Sequence, residues 1–253
     1  MKKSSEVHEF AFFIDSKTII IHQHAGTLVL KDASVMNRIV NVVRLTAGEH
    51  VILFNQKTAY ACTINEITKK HITCAIRSER AIELGPPIID LLVPLLEREA
   101  LEEVIYMATV YQIRSIYFIA TEKSRKNLSE KDLARFHKIA ISAAEQSKQF
   151  CIPCFNHVPN KERVLSIESF IAKHADAYKD SLKLWCDTQG TPILEYLSQK
   201  AKSYSNYLIT FGPEGDFTHA EKELLSTSFM PIKLSRSVLR AKDAASLIMG
   251  IVR

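Results

Sequence analysis

Beyond Glu83-Leu84-Gly85-Pro86-Pro87 the chain becomes a regular exchange of short apolar runs and amphipathic stretches, and no other feature of the sequence limits its fold so strongly. Strand-like runs are expected at Ile88 to Pro94, Ser115 to Ile119, Ser181 to Cys186, Tyr207 to Phe211 and Pro231 to Leu234. Helical spacing is expected at Glu97 to Tyr111, Ser129 to Gln149, Arg163 to His174, Pro192 to Ser203 and Thr218 to Ser226, with a final helix from Lys242. This alternation implies an α/β fold with a largely parallel sheet covered on both faces. Sheets of that kind bind ligands at the carboxyl ends of their strands. Two prolines in succession favour an extended segment and interrupt regular hydrogen bonding, so the domain boundary is set there, giving domains 1–82 and 83–253.

The first domain has a different rhythm. Short β-rich runs fall at Thr18 to Ile21, Thr27 to Leu30, Val51 to Phe54, Thr58 to Ile67 and His71 to Arg77, several separated by turn-prone Ala25-Gly26, Ala47-Gly48 and Asn55-Gln56. A small β-barrel is expected. Between these runs, Asp32 to Arg44 carries Val35, Ile39, Val42 and Val43 at helical spacing, with Arg38 and Arg44 on other faces.

Composition excludes several classes. Of 253 residues, 47% are hydrophobic and 24% charged, a profile that supports a packed core. Ile88 to Leu96 is broken by Asp90 and Pro94, well short of the roughly 20 apolar residues of a membrane span. Met1 to His8 is polar and charged where a signal peptide requires an apolar region, so a cytoplasmic location is expected. Five cysteines form no disulfide framework. Cys151-Ile152-Pro153-Cys154 lacks a second pair and follows a helix, and His22 with His24 lacks a third ligand, so no metal is expected. A net charge of +5 favours an anionic partner.

Phe211-Gly212-Pro213-Glu214-Gly215-Asp216-Phe217 follows an apolar strand and precedes a helix start marked by Thr218 and Glu221, a capping-box pair. It therefore lies at a strand's carboxyl end. Two glycines permit close backbone approach to a ligand, and Pro213 stiffens the turn.

This segment resembles the G-P-E-G-G-[FL] signature of the ribosomal RNA methyltransferases that modify N3 of a uridine in small-subunit RNA, members of the SPOUT superfamily. Further segments follow in the family's order. Thr121-Glu122-Lys123-Ser124 resembles T-E-R-S, and Ala143-Ala144-Glu145-Gln146-Ser147 with Ile152-Pro153 resembles A-A-E-Q-S…V-P. Leu234-Ser235-Arg236-Ser237-Val238-Leu239-Arg240-Ala241-Lys242-Asp243-Ala244 resembles L-G-x-R-I-L-R-x-E-T-A. Val42-Val43-Arg44-Leu45 ahead of Gly48 resembles the V-L-R-L…G of the family's RNA-binding barrel.

The resemblance implies a PUA-like barrel followed by a trefoil-knotted methyltransferase domain, S-adenosylmethionine as cofactor, small-subunit ribosomal RNA as substrate, and a homodimer. It implies that Leu184, Phe211, Gly212, Pro213, Glu214, Gly215, Leu234, Ser235, Val238, Leu239 and Arg240 hold the cofactor, largely through backbone groups. Arg240 and Glu145 are the implied catalytic residues. Arg38, Arg44, Thr121, Ser124, Arg125, Gln146 and Lys242 are assigned to the RNA. The chemistry requires removal of the weakly acidic N3 proton, or stabilisation of the resulting anion.

The chain departs from the family pattern within these signatures. Asp216 replaces a glycine, Ser235 the glycine of L-G, Ser237 an arginine, and Lys242-Asp243 a glutamate-threonine pair, while Gln149 and Val110-Tyr111-Gln112 also differ. An RNA-binding relative without methyl transfer is the alternative, separated by whether the chain binds S-adenosylmethionine. A dinucleotide-dependent oxidoreductase is opposed by the absence of G-x-G-x-x-G and by only seven glycines.

Overall fold

The computed structural model describes residues 9–22, 26–125, 127–156, 164–200 and 204–253. The expectations for Met1 to His8, for His24 and Ala25, for a helix start at Arg163 and for a helix end at Ser203 lie outside these residues. The chain divides into two compact units, Met1–Glu83 with Ala144–Phe150, and Leu84–Ala143 with Cys151–Arg253.

The first unit is built on one six-stranded sheet of β1 (Phe10–Phe13), β2 (Ile19–His22), β3 (Thr27–Leu30), β4 (His50–Phe54), β5 (Thr58–Ile67) and β6 (Ile72–Ala81), in the order β1-β4-β5-β6-β3-β2. All its pairings are antiparallel except β1 with β4. Alternate residues Leu28 and Leu30, Val51 and Leu53, and Cys62 and Ile64 turn into one core with Phe12 and Ile72. β1 was not among the expected strands: four residues without a flanking turn give little periodicity to read.

The helix expected over Asp32 to Arg44 is divided. Asp32 caps α1 (Ala33–Asn37), accepting from the amides of Ser34 and Val35, and Arg38–Val43 then widens into a π-helix. Its run of β-branched Ile39, Val40, Val42 and Val43 disfavours tight α winding. The turn closes at Arg44, whose φ is 64°.

The second unit holds a seven-stranded, wholly parallel sheet: β7 (Ile88–Pro94), β8 (Ser115–Ala120), β9 (Cys154–Asn156), β10 (Leu165–Ser166), β11 (Leu182–Pro192), β12 (Asn206–Thr210) and β13 (Met230–Lys233). The order is β10-β8-β7-β12-β11-β13, and β9 and β10 share the outer edge of β8 in succession. Each central strand is apolar on both sides, so the sheet separates two cores. Ile89, Leu91, Phe118, Leu184 and Ile209 meet α2 (Arg98–Val110), α3 (Glu130–Ser147), α5 (Ile193–Lys200) and α7 (Ala241–Val252). Leu92, Ile119, Trp185 and Leu208 meet α4 (Ile167–His174) and α6 (His219–Ser226).

Two boundaries differ from expectation in ways that bear on function. β11 does not end at Cys186. It bulges over Asp187 to Gly190 and pairs β13 again through Thr191 and Pro192, which places Pro192 in a strand rather than at a helix start. The stretch expected as helix from Arg163 contributes β10 before α4 begins, with Ser166 as its cap.

Candidate active site

Four parallel strands open onto one cleft of about 600 Å³ at their carboxyl ends. β7 leads to Glu97 and the first turns of α2, with Glu99, Ala100 and Glu103. β11 contributes Cys186, Asp187 and Thr188, and the turn after β12 runs from Phe211 to Asp216. β13 leads through Leu234 and Ser235 to Val238, Leu239, Arg240 and the start of α7. The two signature segments, separated in sequence by α6 and β13, thus face a common space.

The turn after β12 is fixed from several sides. Asp216 takes φ 58°, a conformation glycine adopts freely and aspartate tolerates better than most residues, so the departure from glycine costs little at this position. Its Oδ1 accepts from the Phe217 amide at 2.8 Å and its Oδ2 lies 2.7 Å from Lys222 Nζ. A Cβ on Gly212 would sit 2.9 Å from Asp216 Oδ1, and one on Gly215 would sit 3.1 Å from the Lys123 side chain. The absence of a side chain at these glycines makes room for Asp216 and Lys123.

Lys123 Nζ donates to the Gly215 carbonyl at 2.8 Å, and Glu221 accepts from the Glu122 amide at 2.8 Å while closing the capping box with Thr218. Lys222 also reaches Asp187 at 2.9 Å and lies over the Trp185 ring, 5.8 Å from its centroid. Burial alone would lower the lysine's pKa, but hydrogen bonds to Asp216 and Asp187 overcome this and hold it above its usual value.

The segment after β13 is freer. The Ser237 amide donates to Ser235 Oγ, Val238 is 83% exposed, and Arg240 caps α7 by backbone conformation without a side-chain cap bond. No ion pair of Arg240 with Glu214 or Asp243 occurs among the described residues. Lys242, which replaces an acidic family residue, pairs with Glu103 at 2.7 Å, so its charge is balanced by a neighbour on α2. Glu214 accepts from the Glu97 amide at 3.2 Å.

Of the expected cofactor residues, Phe211, Gly212, Pro213, Glu214, Leu234, Ser235, Val238, Leu239 and Arg240 line the cleft. Leu184 is fully buried and packs in the sheet core. The same strand reaches the cleft two residues later, at Cys186, because the bulge carries β11 further than the apolar run suggested. Gly215 is not among the lining residues.

Of the expected RNA residues, Lys242 lines the cleft. Thr121, Ser124 and Arg125 form a turn after β8 in which the Thr121 amide donates to Ser124 Oγ and the Arg125 amide to the Leu95 carbonyl. Arg38, Arg44, Glu145 and Gln146 belong to the first unit. There Glu145 accepts from the Nη1 and Nη2 atoms of Arg38 and from the Phe13 amide, and Arg38 lies over the Phe12 ring. That carboxylate is already held by three donors.

Sequence reasoning missed Asp187, Thr188, Lys222 and Gly190. A Cβ on Gly190 would stand 2.5 Å from the Ile232 amide nitrogen, so only glycine allows β11 and β13 to cross at this distance. The polar run Asp187-Thr188-Gln189-Gly190 between two apolar strands carries the bulge signal.

The cleft fits a cofactor the size of S-adenosylmethionine. Its volume falls within the roughly 300–1,000 Å³ of small-molecule sites. Its walls combine apolar Ala100, Phe211, Ile232 and Leu239 with six carboxylates; Glu103, Asp187 and Asp216 are paired with lysines, and Glu97, Glu99 and Glu214 suit a cationic sulfonium. Among the described residues no cluster of His, Cys, Asp or Glu has the arrangement of a metal site, and no helix is long and apolar enough to cross a membrane.

Comparison with known proteins agrees with this geometry. Residues 85–253 match the family model described as RNA methyltransferase domain, and residues 39–77 that of the RNA methyltransferase PUA domain. Ribosomal RNA small subunit methyltransferase E of Rickettsia conorii is 27% identical over 218 residues, covering 84% of this chain and 83% of the relative. The protein of the same name from Bacillus subtilis is 28% identical over 199 residues, covering 76% and 75%. A structure of this methyltransferase from Neisseria gonorrhoeae bound to S-adenosyl methionine superposes with a TM-score of 0.76 at 19% identity, with 96% of each chain covered. A Legionella pneumophila methyltransferase solved with bound S-adenosylmethionine gives 0.77 at 22% identity, with 97% of each covered. The fold is therefore the expected one, a PUA-like domain with a SPOUT methyltransferase domain.

Proposed function

We propose that this chain, which belongs to the RNA methyltransferase domain family, transfers a methyl group from S-adenosylmethionine to N3 of a uridine in small-subunit (16S) ribosomal RNA. The observation that carries the reading is the convergence of Phe211 to Asp216 and Leu234 to Arg240 on one carboxylate-rich cleft at the carboxyl ends of the parallel strands.

In this reading residues 83–253 are the methyltransferase domain and 1–82 an RNA-binding domain, and the protein works in the cytoplasm as a homodimer. Phe211, Gly212, Pro213, Glu214, Leu234, Ser235, Val238 and Leu239 hold the cofactor between two connections of the sheet, with Cys186 and Asp187 taking the place given to Leu184. When bound, the cofactor supplies an electrophilic methyl group on a cationic sulfur. The carboxylates of Glu97 and Glu214 complement that positive charge, while apolar Phe211 and Leu239 exclude water beside it.

Arg240 is the catalytic residue of the proposal. Its guanidinium is exposed at the cleft with no side-chain hydrogen bond or ion pair among the described residues. Once N3 has given its proton to solvent water, Arg240 can stabilise the negative charge left on the uracil oxygens; N3 then forms its bond to the methyl carbon as the sulfur takes the carbon–sulfur bonding pair. Glu145 is assigned to holding Arg38, since its carboxylate already accepts from that side chain and from Phe13. Arg38, Arg44, Thr121, Ser124, Arg125, Gln146 and Lys242 are assigned to the RNA, whose target base must be unstacked to react.

Deleting the gene and mapping methylated uridines in small-subunit ribosomal RNA by mass spectrometry tests the reading. One N3-methyluridine should disappear, return with the wild-type gene and stay absent with Arg240→Ala. Unchanged modification after deletion contradicts it.

A further inference from the structure

We propose that Lys222 is a positioning residue for the cofactor, setting the separation of the two strand ends that build one wall of the cleft. The inference rests on the cofactor reading above. Lys222 is held at the start of α6 by the capping box of Thr218 and Glu221. Its ammonium lies 2.9 Å from Asp187 and 2.7 Å from Asp216, residues of two different connections that both line the cleft.

Each carboxylate is divided in the same way. Asp187 Oδ1 accepts from the Gln189 amide at 2.7 Å and Asp216 Oδ1 from the Phe217 amide at 2.8 Å, leaving the second oxygen of each for the lysine. One cation therefore ties the bulge of β11 to the turn after β12. Without it, two carboxylates would converge on one point uncompensated; water reaches Asp216, whose side chain is 59% exposed, but the Asp187 side chain is only 7% exposed and would be left as a poorly solvated charge. The turns would separate and the cleft would widen. Trp185, the single tryptophan of the chain, lies beneath the ammonium, and its indole N–H finds no hydrogen-bond acceptor among the described residues. Its fluorescence therefore reports on this contact.

The test is cofactor titration of the full chain, by calorimetry and by Trp185 emission, together with steady-state methylation of small-subunit RNA. Lys222→Met should raise the KM for S-adenosylmethionine roughly tenfold while leaving kcat at saturating cofactor within about twofold, and should alter the emission before any ligand is added. Lys222→Arg should restore KM to within about threefold of wild type. Asp216→Gly, which removes one of the opposed carboxylates, should reduce the penalty of Lys222→Met in the double variant.

Wild-type cofactor affinity in Lys222→Met, equal penalties with and without Asp216, or a loss confined to kcat would overturn the proposal. Should Lys222→Met fail to give a cooperative thermal transition, Asp216→Gly alone carries the test: KM should rise about threefold, and an unchanged KM overturns the idea. Failure of the wild type itself to bind S-adenosylmethionine removes the cofactor reading first, and so is distinguishable from failure of the lysine's role alone.

Discussion

The two segments that face each other across the cleft are built on opposite plans. The turn from Phe211 to Asp216 is tied by Lys123 at the Gly215 carbonyl and by Lys222 at Asp216, and it leads directly into a capped helix. The stretch from Leu234 to Arg240 hangs between β13 and α7 with Val238 and Arg240 outward. A rigid wall suits a ligand that is the same at every turnover, because its binding geometry can be set in advance. An open wall suits a large partner that must enter, react and leave.

Four substitutions probe that contrast. Gly190→Ala should act most strongly, costing about 3 kcal/mol in chemical denaturation, because a new Cβ would strike the β13 backbone from which the open wall extends. A stable variant would mean the crossing can relax. Arg240→Ala should lower kcat about a hundredfold with cofactor affinity within about twofold, by single-turnover kinetics and calorimetry. Loss of cofactor affinity instead would merge the roles of the two walls.

Glu221→Ala should cost about 1 kcal/mol of stability, since it removes the capping box and the bond to the Glu122 amide, and it should weaken cofactor binding more than RNA binding. Val238→Ser should change cofactor affinity by no more than about twofold, because the side chain at this position faces solvent. A larger loss in titration would show that the open wall closes onto the ligand.

The same contrast governs what the sequence could disclose. Strands buried on both faces, such as Leu91 to Val93 and Leu208 to Ile209, read clearly as apolar runs, and Thr218 with Glu221 announces the start of α6. β9 and β10, at three and two residues, are too short to carry a period. The continuation of β11 through Asp187 to Pro192 is polar and exists because β13 offers a second stretch of backbone to pair with.

Side chains that act across the fold were the least legible. Nothing local to Lys222 marks it among the lysines of the chain, since both its partners come from other elements. Asp216 and Lys242 could be recognised as departures from the family pattern. Only their surroundings, a left-handed backbone for one and Glu103 for the other, show why the fold accepts them.

Six carboxylates and three cationic side chains line the cleft of a protein whose net charge is +5. Lys242 and Lys222 balance Glu103, Asp187 and Asp216, so in the proposed reading a phosphodiester strand is met by cations at Arg240 and Lys242 and gains little by descending past them toward Glu97, Glu99 and Glu214. The nucleobase, being neutral, is the part of a ribonucleotide that can cross this threshold. In the proposed reading this charge map sets the orientation of entry, favouring the target base edge first with the sugar-phosphate chain held toward the rim.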